Sequence, residues 1–284
     1  MPRIDIDAPA KINLTLDVLY KRPDGYHEVE MIMQSIALKD HVTLEPLPQK
    51  VVEVFTDCPC LPAGENNLAY KAAKLMISEF NLDAGVKITI NKNIPLAAGL
   101  AGGSSDAAAV ILGMNELFDL KKSRQELMTL GKRIGADVPF CIHGGTALAR
   151  GIGEKVEALK PLPKVALLLV KPPYLVSTRE VYSRLDVKAI RKRPDTPAMV
   201  RTIEEENIYA MAGELCNVLE EVTFSLHPEL ESIKEELKRH GALGSLMSGS
   251  GPTVFGIFES EKEVRRAREK VSFKDSLIMV SEVS

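Results

Sequence analysis

The chain has 284 residues and a formal net charge of −3, with 45% apolar and 26% charged residues. That balance is ordinary for a globular enzyme, and the length allows two lobes with sizeable cores. It lacks the clustered basic excess of a nucleic-acid binder, and no apolar run approaches the ~20 residues of a membrane helix.

Met1 to Asp7 starts directly on a strand-like alternation. The charged start, apolar core and small-residue cleavage site of a signal peptide are not seen, so a cytoplasmic location is expected. The four cysteines, Cys58, Cys60, Cys141 and Cys216, include no CxxC pair. They read as reduced thiols, and no residue is assigned as a metal ligand. The basic run Arg191 to Arg193 reads as a solvated loop.

Residues 12–19 alternate cleanly and predict a half-buried strand; Arg22-Pro-Asp-Gly25 is a turn. The β pattern resumes over 28–37, 41–47 and 51–55. Residues 67–80 switch to helical spacing, with Leu68, Ala72, Leu75 and Met76 on one side. A strand over 86–90, a loop over 94–103, an Ala-rich helix from about 104 to 118 and a helix over 124–134 follow. Residues 144–153 read as a strand ending in a turn. The Pro-rich segment Lys160 to Lys164 marks a boundary between lobes 1–160 and 161–284. Beyond it come a buried strand over 165–170 and helices near 178–185, 196–205, 208–222 and 228–240. The pattern is α+β.

The loop from Ile94 to Asp106 lies between a strand and a helix. Helix N-termini carry unpaired N–H groups and about half a positive charge, which attract phosphate. Gly99, Gly102 and Gly103 allow close backbone approach and positive φ. Ser104 and Ser105 bring hydroxyls suited to phosphate, to a phosphate-bound cation or to capping. A capped turn without a ligand is the alternative. The Walker pattern is excluded because no lysine ends the loop, and the G-x-G-x-x-G dinucleotide pattern does not occur here.

Three blocks in order, Pro9 to Leu14, Pro95 to Asp106 and Met247 to Thr253, resemble the superfamily of galactokinase, homoserine kinase, mevalonate kinase and phosphomevalonate kinase. Four further stretches resemble its branch acting on 4-diphosphocytidyl-2-C-methyl-D-erythritol: Arg22 to Glu30, Asn66 to Leu68, Gly135 to Phe140 and Val176 to Tyr182. The resemblance covers essentially the whole chain. It implies a two-lobed α/β sandwich with the active site between lobes, and ATP-dependent phosphorylation of the substrate's 2-hydroxyl on the non-mevalonate route to isoprenoid precursors.

The resemblance assigns catalysis to Lys11 and Asp137. It assigns ATP binding to Asn67 and to Pro95, Leu96, Ala97, Ala98, Gly99, Leu100, Ala101, Gly102, Gly103, Ser104 and Ser105. Substrate binding falls to Asn13, Tyr26, His27, Tyr182, Gly249 and Ser250, with Tyr174 competing for one stacking role. ATP with Mg2+ is the expected cofactor pair, and the assembly a monomer or homodimer. Ala101 stands where many members carry Gly, which predicts negative φ there. Without the resemblance, Lys11 reads as an exposed strand lysine and Asp137 as the cap of a short helix. The loop Ser248 to Thr253 reads as an anion nest of N–H groups or as a tight turn before an edge strand. A related kinase for another small alcohol, or a non-catalytic ligand-binding member, is the competing reading. The aromatic pair favours a substrate carrying a base, and the retained Lys11 and Asp137 favour catalysis.

Overall fold

The computed structural model describes residues 3–284. Met1 and Pro2, where the predicted N-terminal alternation starts, lie outside the described residues.

In chain order, β1 (Ile4–Lys21), β2 (His27–Leu47) and β3 (Val52–Thr56) precede α1 (Leu68–Glu79) and β4 (Gly85–Asn91). Then come α2 (Gly102–Leu117), α3 (Arg124–Gly131), α4 (Val138–His143), β5 (Thr146–Gly151), β6 (Lys155–Ala158) and β7 (Ala166–Lys171). Next are α5 (Thr178–Arg184), α6 (Thr196–Glu204), α7 (Ile208–Gly213), β8 (Cys216–Asn217), α8 (Glu220–Leu226) and α9 (Glu229–Arg239). The order ends with β9 (Gly244–Met247), β10 (Val254–Phe258), α10 (Glu261–Lys270) and β11 (Leu277–Glu282). No helix among the described residues is long and apolar enough to cross a membrane.

Two compact units interleave along the chain. The first comprises 1–10, 38–96 and 101–144; the second comprises 11–37, 97–100 and 145–284. Strands β1 and β2 each contribute one part to either unit. The Pro-rich segment Lys160 to Lys164 lies within the second.

In the first unit, His41–Leu47 of β2 pairs antiparallel with β4, and β4 pairs parallel with β3. Helices α1, α2, α3 and α4 pack against one another. The core joins Leu44, Ile88 and Ile90 of the strands to Ala72, Met76, Val110, Ile111 and Met114 of the helices. At Gly113 a Cβ would come within 2.4 Å of Leu44 Cδ1, so glycine sets the closeness of α2 to the strand.

In the second unit, Val29–Gln34 of β2 pairs antiparallel with β5, which pairs with β6. A four-stranded antiparallel sheet runs β11-β7-β10-β9, with α9 and α10 packed on it. Its middle strand β7 is buried along its length, as a continuous apolar run requires. Strand β10, which the tight-turn alternative placed at an edge, is also internal.

The helix predicted over 208–222 is two helices, α7 and α8, interrupted by β8. Thr15 and Leu16 of β1 pair in parallel with Cys216 and Asn217, and the Asn217 amide donates to the carbonyls of Met247 and Gly249 at 2.8 Å each. Those bonds hold the segment extended against its helical apolar spacing. The basic run is not simply solvated either. Arg193 donates to Asp17 Oδ1 at 2.5 Å and to the Val18 carbonyl at 3.0 Å, tying its loop to β1.

Candidate active site

The assigned residues form two sets, one within each unit, and loop residues 97–100 belong to the second unit. The first set surrounds the start of α2. Most helices with a polar residue at the N-cap use it: Asn67 caps α1, Ser123 α3, Ser177 α5, Asp195 α6, Asn207 α7 and Ser260 α10. Helix α2 instead has Ala101 at its N-cap position, without a side-chain cap and without an acid in its first turn. Its leading N–H groups and positive dipole end are therefore open to an anion.

Ala101 has φ 60°, in the left-handed region, and Ala97 has φ 48°. This corrects the expectation of negative φ at Ala101. Turning the chain into α2 requires the left-handed conformation there, at about 1–2 kcal/mol for a residue with a Cβ. Among the loop glycines, Gly99 alone uses positive φ, at 74°, whereas Gly102 and Gly103 are helical. Pro95 and Leu96 are half-buried, and Ala98 and Leu100 are buried as anchors.

Ser105 is buried, and its hydroxyl donates to the Pro9 carbonyl at 2.6 Å. It braces α2 against β1 and is not a free hydroxyl. Ser104 stays half-buried, and a Cβ on Gly135 would lie 3.8 Å from its Oγ. The Gly135–Asp137 turn is thus a neighbour of the α2 start. Asp137 sits at the N-cap position of α4 and makes no side-chain cap bond. The capping explanation for Asp137 therefore fails, and its carboxylate is half-buried without that task. Asn67 is buried with both ends of its amide engaged: Oδ1 accepts from Ala69 N at 2.8 Å and Nδ2 donates to the Pro62 carbonyl at 2.7 Å.

The second set is built on β1. Lys11 is 4% exposed, so it is not a solvated strand lysine. Its ammonium donates to Asn13 Oδ1 at 2.7 Å and to the Gly99 carbonyl at 3.1 Å. Both acceptors are neutral oxygens. Asn13 is fully buried; its Oδ1 also accepts from Gly249 N at 3.0 Å, and its Nδ2 donates to Met31 Sδ at 3.2 Å. Asn13 is thus a hub that positions Lys11 and the loop from Ser248.

That loop is braced internally. Ser248 N donates to the Thr253 carbonyl, Gly249 N to Asn13 and Gly251 N to the Ser248 carbonyl. These N–H groups are spent, so an open nest across the whole loop is not what the segment forms. The Ser250 hydroxyl pairs with that of Thr178 at 2.8 Å, and Ser248 Oγ donates to the Gly99 carbonyl at 2.9 Å. Thr178 and Asn217 were not legible as site residues, because their partners are 72 and about 30 residues away.

The rings of His27 and Tyr182 lie 5.3 Å apart at 38°. Burial, with a smaller push from Lys21, holds the His27 imidazole below its ordinary value and favours the neutral ring. Tyr26 is 61% exposed, so it does not pack on its own hairpin. Tyr174 stacks on His227 at 4.6 Å, which occupies a ring face. No cysteine forms a disulfide.

Among the described residues, no group of three or more His, Cys, Asp or Glu is placed to hold a metal ion.

An α+β chain whose glycine-rich helix start is left open to an anion has the phosphate seat that a small-molecule kinase needs. The model for the GHMP kinases N terminal domain matches residues 67–145, and that for GHMP kinases C terminal matches 199–276. The 4-diphosphocytidyl-2-C-methyl-D-erythritol kinase of Acetivibrio thermocellus is 55% identical over 269 residues, 95% of each chain. A crystal structure of 4-(cytidine 5'-diphospho)-2C-methyl-D-erythritol kinase superposes with a TM-score of 0.83 at 33% identity, covering 99% of both chains. Homoserine kinase from Cytophaga hutchinsonii shares the fold at 18% identity, with a TM-score of 0.78 over 100% of this chain and 95% of that one. The chain belongs to the GHMP kinases and, within them, to the 4-diphosphocytidyl-2-C-methyl-D-erythritol kinase family.

Proposed function

We propose that the chain transfers the γ-phosphoryl group of ATP to the 2-hydroxyl of 4-diphosphocytidyl-2-C-methyl-D-erythritol, giving the 2-phosphate and ADP. The observation that carries this reading is the open first turn of α2, a phosphate seat in a chain 55% identical to a kinase of that name. Phosphoryl transfer needs mainly positioning and charge stabilisation, because its transition state is loose. The loop from Pro95 to Ser105 would hold the triphosphate through backbone N–H groups, with Ser104 supplying a hydroxyl. Ser105 and Asn67 would act by fixing α2 and α1 rather than by touching nucleotide.

Asp137 would accept the proton of the substrate hydroxyl as its oxygen bonds to phosphorus and the bond to ADP breaks. Lys11 keeps one N–H beyond its two bonds, which suits it to the charge on the transferring group. Asn13 would orient Lys11. Tyr182 with His27, and Tyr26 from the exposed turn, would take the cytosine by stacking and by a neutral imidazole hydrogen bond. The occupied face of Tyr174 favours Tyr182 for that role. Ser250 and Gly249 would line the diphosphate side. Mg2+ bound to the triphosphate would neutralise its charge.

We propose lobes 1–160 and 161–284, a division supported by the interval between the two family matches, although 145–284 falls in one compact unit. We place the enzyme in the cytoplasm, as a monomer or homodimer acting on small molecules. A coupled ADP-release assay against the cytidyl substrate, homoserine and mevalonate tests the reading. ADP release with the cytidyl substrate alone supports it, and preference for another alcohol overturns it.

A further inference from the structure

We propose that Asp106 is a positioning residue for nucleotide binding: with Lys92 and Asp40 it forms a buried clamp that holds the two ends of the phosphate loop together. The inference rests on the kinase reading above and deepens it. At the loop entry, Asp40 Oδ1 accepts from Asn93 N at 2.6 Å and from Ile94 N at 2.8 Å. At the exit, Asp106 stands on the second turn of α2, and its Oδ2 accepts from Lys92 Nζ at 2.8 Å. The same ammonium bonds the Asp40 carboxylate. One cation thus joins the strand end before Pro95 to the helix after Ala101.

The side chains of Lys92, Asp40 and Asp106 are 5%, 0% and 2% exposed. A Cβ on Gly102 would lie 3.0 Å from Ile94 Cγ2 and 3.4 Å from Lys92 Nζ, so the first residue of α2 rests on the clamp. Burying such a cluster does not by itself favour folding, since apolar packing of the same volume is often as stable. Its directional bonds do fix geometry. A loop that offers several N–H groups to one triphosphate loses affinity when its ends drift, because ordering must then come from binding energy.

The charges are unequal, two carboxylates facing one ammonium, and Asp106 Oδ1 has no hydrogen-bond partner among the described residues. Asp106 faces Lys92 from the end of β4 and Asp40 from β2. Asp57, which accepts the Lys92 backbone N–H, is the other charged group bonded to the cluster. Burial pushes the Asp106 carboxyl up to about 7 against the pull of Lys92, and Asp40 adds to the push.

The test compares Asp106→Leu with Asp106→Asn. Leu cuts the link to α2 and leaves Lys92 with Asp40 as a one-to-one pair; Asn keeps an acceptor for Lys92. Binding of a fluorescent ADP analogue, KM for each substrate, kcat and thermal melting are measured. For Asp106→Leu, analogue Kd and KM for ATP are expected to rise about tenfold or more, with kcat and KM for the cytidyl substrate within about threefold. Asp106→Asn restores nucleotide affinity to within about threefold. Asp106→Ala carries the same expectation as Leu if Leu fails to fold. Unchanged nucleotide affinity in the truncated variants, or equal losses in both KM values and kcat that Asn does not rescue, overturns the clamp. Analogue binding reads the clamp even in an enzyme that does not turn over the cytidyl substrate, so the two failures are distinguishable.

Discussion

The Lys11 ammonium donates to the Gly99 carbonyl oxygen at 3.1 Å. This bond joins the residue assigned to charge stabilisation to the tip of the glycine-rich loop. Gly99 must lack a Cβ to sit there, since one would fall 2.2 Å from the Ser248 carbonyl oxygen. Positive φ at 74° adds to the constraint. Gly99→Ala is therefore expected to displace the loop from Ser248 and Lys11, lowering kcat/KM by about 10²-fold, the scale of a misplaced reacting group. Steady-state kinetics check this, and an unchanged kcat/KM removes the Gly99 packing from the account.

Asp137→Asn isolates proton transfer. The carboxylate makes no cap bond to α4, so its neutral isostere leaves that helix start intact. The expected result is a fall in kcat of about 10²–10⁴-fold with little change in melting temperature. Near-full turnover would remove Asp137 from the mechanism.

Tyr182→Ala tests the cytosine seat. Stacking on an aromatic ring contributes about 1–3 kcal/mol per base, so KM for the cytidyl substrate should rise by roughly 5- to 150-fold. KM for ATP should hold. Tyr174→Ala, at the ring already stacked on His227, should leave the cytidyl KM near wild type. The reverse pattern would move the stacking role to Tyr174.

The buried acid of the clamp predicts a pH effect on stability. Asp106 is raised to about 7 in the folded chain from an ordinary 3.8. Between those values the folded state holds a proton that the unfolded state has released. Its contribution is therefore complete below about pH 4 and is lost as pH rises toward 7, by at most about 1.4 kcal/mol per unit. Denaturant melts at pH 5, 6 and 7 should show wild type losing stability relative to Asp106→Asn as pH rises. Parallel profiles would show that Asp106 does not hold that proton.

Much of this fold was legible because its signals are local. Alternation located β1 and most of β2, and helical apolar spacing over 67–80 located α1, whereas its Asn67 cap was not read. The missing parts depend on distant partners. The break at β8 follows from pairing with Thr15 and Leu16, about 200 residues earlier, which overrides helical spacing in Leu215 to Val218. The left-handed φ at Ala101 follows from how the loop enters α2, although alanine itself argues against it. Lys11 and Asn13 were assigned through their motif, but the Asn13 bond to Gly249 spans 236 residues and no local pattern announces it. The Asp40–Lys92–Asp106 cluster was unread for the same reason: each residue alone looks like an ordinary solvated charge.

Product analysis tests the proposed phosphoryl transfer directly. Purified enzyme is incubated with ATP, Mg2+ and 4-diphosphocytidyl-2-C-methyl-D-erythritol, and the mixture is followed by phosphorus NMR. One new phosphate monoester at the 2-position is expected for each ADP formed, with the cytidine diphosphate intact. ADP without that monoester, or no consumption of the cytidyl substrate, would contradict it.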